Sequence, residues 1–194
     1  MLPLTVTSTV QSPTDQELLE QMRLGSTSAF ARLYHRYKHK VYPYCHRLVR
    51  NAEAAEDVVQ ETFLKIHRGI HLLQKPEHLR TWIFSIARNE ALTHLRRTRH
   101  MEDLEGEAET VWDEDNPLEE LEEQETKNII QHYLGLLRPH YREFLVLREY
   151  EQLSYAEIAA ITGATESAVK SGLFKARKAL AKKLEPFFRE RDGQ

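Results

Sequence analysis

The 194-residue sequence predicts an all-α protein built as two small helical domains joined by an acidic flexible linker, the second domain containing a helix-turn-helix. Three observations carry that prediction. Apolar residues recur at three- and four-residue spacing through most of the chain, the period of a helix with one buried face. Glycine and proline are sparse, seven of each, and no internal repeat is visible. Charge is partitioned: residues 15–100 carry 15 Lys and Arg against 9 Asp and Glu, residues 101–126 carry 13 acids and no Lys or Arg, and residues 127–194 carry 12 bases against 8 acids. A net charge of −3 therefore conceals two basic modules on either side of an acidic strap, and basic helical modules point to nucleic acid.

Residues 1–14, MLPLTVTSTVQSPT, are expected to form a disordered arm; they lack the basic start and long apolar stretch of a secretory signal. Residues 15–100 then read as a four-helix module. Leu18, Leu19 and Met22 share one side of a first helix over 15–24, and Gly25 and Ser26 break it. A second helix carries Phe30, Leu33, Tyr34, Tyr37 and Val41, and Pro43 is expected to kink or restart it. The third, roughly Ala52 to Ile70, turns Ala55, Val58, Val59, Thr62, Phe63 and Ile66 inward. Asp57, Gln60, Glu61 and Leu64 line an adjacent face of that helix, a hydrogen-bonding strip suited to a basic partner helix. The fourth begins near Leu79. Trp82, Ile83, Ile86 and Ala87 make its inward stripe, and Arg80, Arg88, Arg96, Arg97 and Arg99 give it a cationic outside. Arginines interleaved with an aromatic and an amide suit unstacked single-stranded DNA, with Asn89 placed to bond a base edge.

Residues 101–126 hold too few apolar groups for a core and read as an extended linker that turns helical near Leu118. They also lack the glycine turn and ligand spacing of a calcium loop. Residues 127–185 form the second module. Ser154 is a helix cap, Ile158, Ala159 and Ile161 the apolar side of a short helix, and Gly163 the left-handed residue of a tight turn. Thr165 caps a longer helix whose Val169, Leu173, Ala176 and Leu180 face inward. That leaves Glu166, Ser167, Lys170, Ser171, Phe174 and Lys178 outward, with Arg177 beside them. Such a helix enters the major groove with its first turns. Residues 186–194 are a tail.

The length suits two modest cores rather than one large enzyme. No apolar run approaches 18 residues, and the single cysteine, Cys45, allows no internal disulfide, so a cytoplasmic protein is expected. There is no nucleophile elbow, phosphate-binding glycine loop or zinc-spaced Cys/His set. His35, His39, Cys45 and His46 are the one candidate metal cluster, but helix-face histidines without ligand spacing are ordinary surface. No catalytic residue, metal, cofactor or small-molecule substrate is expected.

Three ordered segments, AEDVVQETFLKIHR, LRTWIFSIARNEALTHLRR and, beyond the acidic gap, LRPHYREFLVLREYEQLSYAEIAAITGATESAVKSGLFKAR, closely resemble the extracytoplasmic-function sigma factors of bacteria. The likeness covers nearly everything from Asp15 to Leu184. It implies that residues 15–100 are sigma region 2, which binds the β′ clamp helices of core RNA polymerase and reads the minus-ten element. It implies that residues 127–185 are region 4, which binds the β flap and reads the minus-thirty-five element. By matched position, Asp57, Gln60, Glu61 and Leu64 fall in the stretch that docks onto the clamp. Arg88, Asn89 and Glu90 fall in the segment that captures an everted base, flanked by Arg80, Trp82, Arg96 and Arg97. Thr165 to Phe174 occupy the minus-thirty-five recognition helix, with Arg177 and Lys178 following. There the family carries Thr and Arg where this chain has Ala168 and Gly172, and Gly172 is expected to remove a phosphate contact. Expected partners are core RNA polymerase, promoter DNA and an anti-sigma factor, with no insertion into a membrane. A free-standing dimeric helix-turn-helix regulator is the competing class; it has no use for the Asp57 to Leu64 strip or the Trp82 to Asn89 segment.

Overall fold

The computed structural model describes residues 12–105 and 129–192, and every element found in them is helical. Most of the arm and residues 106–128 of the acidic strap, with the turn to helix expected near Leu118, lie outside the described residues. Helix α1 (Asp15–Arg23) starts from a reciprocal cap in which Thr14 Oγ1 accepts from the Glu17 amide while the Glu17 carboxylate accepts from Thr14. Leu18, Leu19 and Met22 are buried. Gly25, at φ 86°, makes the turn, and Ser26 caps α2 (Thr27–Val49). This helix does not restart at Pro43. The carbonyl left without its helical partner belongs to His39, which faces solvent, so water can take the bond and the helix continues.

Arg50, left-handed at φ 63°, ends α2, and Asn51 caps α3 (Ala52–Gly69). Two 3₁₀ turns, Ile70–Leu72 and Pro76–His78, lead into α4 (Leu79–Glu105), which runs on past residue 100 into the acid-rich stretch. The four helices close over Leu33, Val41, Tyr44, Cys45, Val58, Phe63, Ile66, Ile83, Phe84 and Ala87, all buried. Tyr44 and Phe84 meet edge to face at 5.2 Å. Trp82 and Ile86, expected inward, are only half-buried at the edge of this core.

The second module comprises α5 (helical over 129–135), α6 (Pro139–Leu145), a π-helical turn (Val146–Tyr150), α7 (Tyr155–Thr162) and α8 (Glu166–Asp192). The expected signals of a helix-turn-helix are in place. Ser154 and Glu157 form a capping box, Gly163 sits at φ 73°, and Thr165 Oγ1 accepts from the Ala168 amide at 3.2 Å. Leu147, Leu153, Ile158, Val169, Leu173 and Ala176 are fully buried, while Leu180, expected in the same stripe, is half-exposed. The helix carries on through Pro186 to Asp192, so residues read as a tail are helical. Among the described residues no helix is long and apolar enough to cross a membrane.

The two modules pack together. α4 lies against α7, and Arg142 of α6 reaches into the first module. That guanidinium, 7% exposed, donates to the carbonyls of Leu134 (3.2 Å) and Gly135 (2.7 Å) at the end of α5 and Leu137 (3.3 Å) just after it, and to Leu48 (3.4 Å) in the last turn of α2. It therefore ties together two helix C-termini, whose unpaired carbonyls favour a cation. Burial, with Arg50 adding to it, lowers its pKa to about 10, so it remains charged at neutral pH.

Candidate polymerase and promoter surfaces

Asp57, Gln60, Glu61 and Leu64 are all exposed on one face of α3, while Val58, Val59, Thr62, Phe63 and Ile66 are buried on the other. Asn51 sets the helix start, and the three- and four-residue spacing then lines the four side chains up along the axis. Beside the strip runs a groove of about 450 Å³ between α2 and α3, with Phe30, Tyr34, Tyr42 and Phe63 in its wall and Gln60 and Leu64 on its lip. Carboxylates next to an aromatic groove can take the basic and apolar sides of a partner helix at once.

The residues of α4 divide. Asn89, Arg96 and Arg97 are exposed. Glu90 is held by Lys65 of α3 at 2.6 Å. Arg80 and Arg88 face the second module instead. Arg88 Nε donates to the Glu143 carboxylate of α6 at 2.6 Å, and the Tyr44 hydroxyl donates to the same oxygen at 3.3 Å. Arg80 stands 3.7 Å from the Glu151 carboxylate and also donates to the Glu151 carbonyl. Glu143 and Glu151 are buried, with 5% and 6% of their surface exposed, and each carboxylate has an arginine beside it. Burial raises the pKa of Glu151, and Arg80, Lys40 and Arg47 offset part of that rise. Arg47 caps the contact from α2, its guanidinium 3.9 Å above the Tyr150 ring. The acids that occupy arginines here thus belong to the second module. Sequence reasoning missed Arg142, Glu143 and Glu151; the available signal was charge interrupting the apolar run around FLVL.

On α8, Thr165, Glu166, Ser167, Lys170, Ser171, Phe174 and Lys178 all face solvent, Phe174 being 70% exposed. Arg177 is exposed but engaged, donating to Glu149 of the π-helical turn at 2.7 Å and 3.2 Å. That hydrogen bond raises its pKa further. Gly172 corrects the sequence reading. It is buried, and a Cβ there would lie 2.4 Å from Cε2 of Phe144, so position 172 points into α6 rather than toward DNA. Of the metal candidates, Cys45 is fully buried with its thiol pushed up to about 12 by desolvation, while His35 and His39 are exposed. No group of three or more His, Cys, Asp or Glu among the described residues is placed to hold a metal ion.

An all-helical chain with an exposed strip of acid, amide and leucine on α3, an arginine-rich helix and a helix-turn-helix has the layout of a promoter-recognition subunit. Sigma-70 region 2 matches residues 33–101 and Sigma-70, region 4 matches residues 127–180. The chain is 33% identical over 186 residues to the RNA polymerase sigma-H factor of Pseudomonas aeruginosa, covering 91% of this chain and 96% of that protein. It is 33% identical to the ECF RNA polymerase sigma-E factor of Escherichia coli K12, covering 91% and 97%. Among solved structures, it is similar to the sigma factor RpoE in complex with the anti-sigma factor NepR from Bartonella quintana, at 26% identity and a TM-score of 0.64 over 88% of this chain and 95% of that one. It shares the fold of CnrH in complex with the cytosolic domain of CnrY, with a TM-score of 0.68 at 23% identity over 89% and 97%. The chain belongs to the extracytoplasmic-function sigma factors of bacterial RNA polymerase. It is a non-catalytic subunit that binds core polymerase, recognises promoter elements and starts transcription.

Proposed function

We propose that the α3 strip of Asp57, Gln60, Glu61 and Leu64 docks onto the β′ clamp helices, and that the second module engages the β flap. The observation that supports the clamp contact is the exposure of all four side chains in line on a helix whose opposite face is buried. Asn89, exposed on α4 between Arg88 and Glu90, takes up an everted base of the minus-ten element, with Arg80, Trp82, Arg96 and Arg97 along the strand. The first turns of α8, from Thr165 to Phe174, with Lys178 beyond, read the minus-thirty-five element. No covalent chemistry is involved: capture of an unstacked base couples recognition to strand opening. The Arg88–Glu143 and Arg80–Glu151 pairs describe the protein before DNA binds, and the modules part on polymerase so that phosphate replaces carboxylate at the two arginines. An anti-sigma factor partner is supported by the likeness to RpoE, which was solved with NepR.

The test is reconstitution. Purified chain and core polymerase should give run-off transcripts from fragmented genomic DNA, with two short upstream elements shared among the mapped starts. Reversing Asp57 and Glu61 to Lys should abolish co-purification with core while leaving the helical signal intact, because both side chains face solvent. Unchanged core binding by that double variant would refute the docking surface.

A further inference from the structure

The recognition helix is braced from behind at two points. At the first, Gly172 on the buried side of α8 lies against the ring of Phe144 of α6, and a Cβ at that position would stand 2.4 Å from Cε2 and 2.6 Å from Cδ2. Cβ atoms essentially never stand so close, so either the Phe144 ring or α8 would have to shift, and close packing leaves the ring little room. Glycine is a poor helix former, so its presence in the middle of α8 requires a compensating approach of another group. Phe144, 8% exposed, is that group. At the second point, Glu149 accepts two hydrogen bonds from the Arg177 guanidinium, at 2.7 Å and 3.2 Å. The π-helical turn makes this possible. Its wider winding, closed by the Glu151 amide on the Val146 carbonyl at 3.2 Å, re-aims consecutive residues: Glu149 meets α8, while Tyr150 and Glu151 meet Arg47 and Arg80 of the first module.

We propose that Phe144 and Glu149 are positioning residues for minus-thirty-five recognition. They set the depth and roll of α8, and hence which base edges Lys170, Ser171 and Phe174 reach. Arg177 serves in this brace rather than as a free reader of bases. Gly172 is the residue that lets α6 seat close enough to do so. A shift of α8 by the ångström or so that a Cβ at 172 demands is enough to spoil hydrogen bonds to base edges, whose geometry is narrow. This inference rests on the reading of α8 as the minus-thirty-five helix.

The experiment uses holoenzyme reconstituted from core polymerase and the full chain, with genomic-fragment transcription reporting the minus-ten and minus-thirty-five motifs for each variant. Gly172→Ala should weaken discrimination at minus thirty-five by on the order of tenfold, comparable to losing one matched base pair, and leave the minus-ten motif unchanged. Combining it with Phe144→Leu, which replaces the ring by a shorter, rotatable tip, should restore most of the preference. Phe144→Leu alone adds no atom beside α8 and keeps the test open if Gly172→Ala fails to fold; it should broaden the minus-thirty-five motif selectively. Glu149→Gln should do so to a smaller degree. Lys170→Ala with Ser171→Ala separates the two ideas. If that pair leaves the motif intact, the reading of α8 itself fails, and with it the brace. If that pair erases the motif while Gly172→Ala and Phe144→Leu match wild type, the positioning role alone is overturned. Equal weakening of both promoter motifs in the α6 and Gly172 variants also overturns it, because a general loss of folding would do the same.

Discussion

Helices α3 and α4 adjoin in the same module, yet their functional faces meet opposite conditions. On α3 the side chains of the proposed docking strip, Asp57, Gln60, Glu61 and Leu64, stand in solvent. On α4 two of the arginines assigned to the minus-ten strand are already clasped, Arg88 by Glu143 at 2.6 Å and Arg80 by Glu151 at 3.7 Å. The difference follows from what each face has to meet. A strip of mixed carboxylate, amide and leucine is stable in water and can wait for a protein partner. A row of arginines beside a second module that carries two buried acids pairs with them, since an isolated carboxylate in that setting would be costly. On the proposed reading, polymerase would find the α3 strip open, whereas DNA would have to displace Glu143 and Glu151 from the two arginines.

The largest expected effect is at Glu143. Removing its carboxylate with Glu143→Ala leaves Arg88 without its partner inside the contact and deprives the Tyr44 hydroxyl of its acceptor. Breaking a buried pair from one side costs about 3 to 5 kcal/mol. Most of that should appear as loosened packing between the modules, seen as faster proteolysis between them and a larger radius of gyration in solution scattering. Affinity of the free protein for duplex DNA should rise, because Arg88 is released, and core affinity should hold. A variant as compact as wild type with unchanged DNA affinity would break the comparison.

Much of this contrast could be read from the sequence, but only half of it. Caps and periodicity act within one element, so Ser154, Gly163 and Thr165 located the helix-turn-helix, and the i, i+3, i+4, i+7 spacing from Asp57 to Leu64 located the strip. Asn89, offered as a base-edge contact, is exposed on α4. What periodicity cannot say is what covers a face. Arg88 and Glu143 lie on different modules, and nothing local to either residue specifies the other. Gly172 misled for the same reason: without Phe144 in view, a glycine in a recognition helix looks like a lost phosphate contact rather than a seat for a ring. Pro43 reads in the sequence as a kink or a restart, and the restart is excluded because α2 runs unbroken through it at exposed His39.

A smaller effect is expected at Asn89, the exposed neighbour of occupied Arg88. Asn89→Ala should impair strand opening on duplex promoters by about 1 to 3 kcal/mol, the value of a good side-chain contact to a base edge, without touching core affinity. A premelted template should recover much of the loss. Permanganate footprints of the minus-ten region that match wild type would remove Asn89 from the reading surface and leave the clasped arginines as its main component.

The smallest effect concerns pH and sharpens the comparison at its second clasp. Burial lifts the pKa of Glu151 above its ordinary value of 4.5, with Arg80, Lys40 and Arg47 and the hydrogen bond from Arg80 restraining the rise. A carboxylate whose folded pKa is raised binds its proton more tightly in the folded state, so its contribution to stability is fully present below 4.5 and is lost as pH rises through the folded value. Glu157, also in the second module, works in the opposite direction. Burial raises its pKa, but hydrogen bonds from Ser154 and the charge of Arg80 outweigh that and lower it, so its capping box is stabilising above 4.5 and weakens as pH falls through the lowered value. Glu151→Gln removes the first dependence and keeps the Glu157 one. Denaturant midpoints measured from 4.5 toward neutrality should therefore decline with rising pH more steeply in wild type than in Glu151→Gln. The backbone carbonyl at 151 still accepts from Arg80 in the variant, so the clasp should persist. Parallel curves would show that Arg80, Lys40 and Arg47 offset the burial of Glu151 in full, and that its ionisation carries no cost.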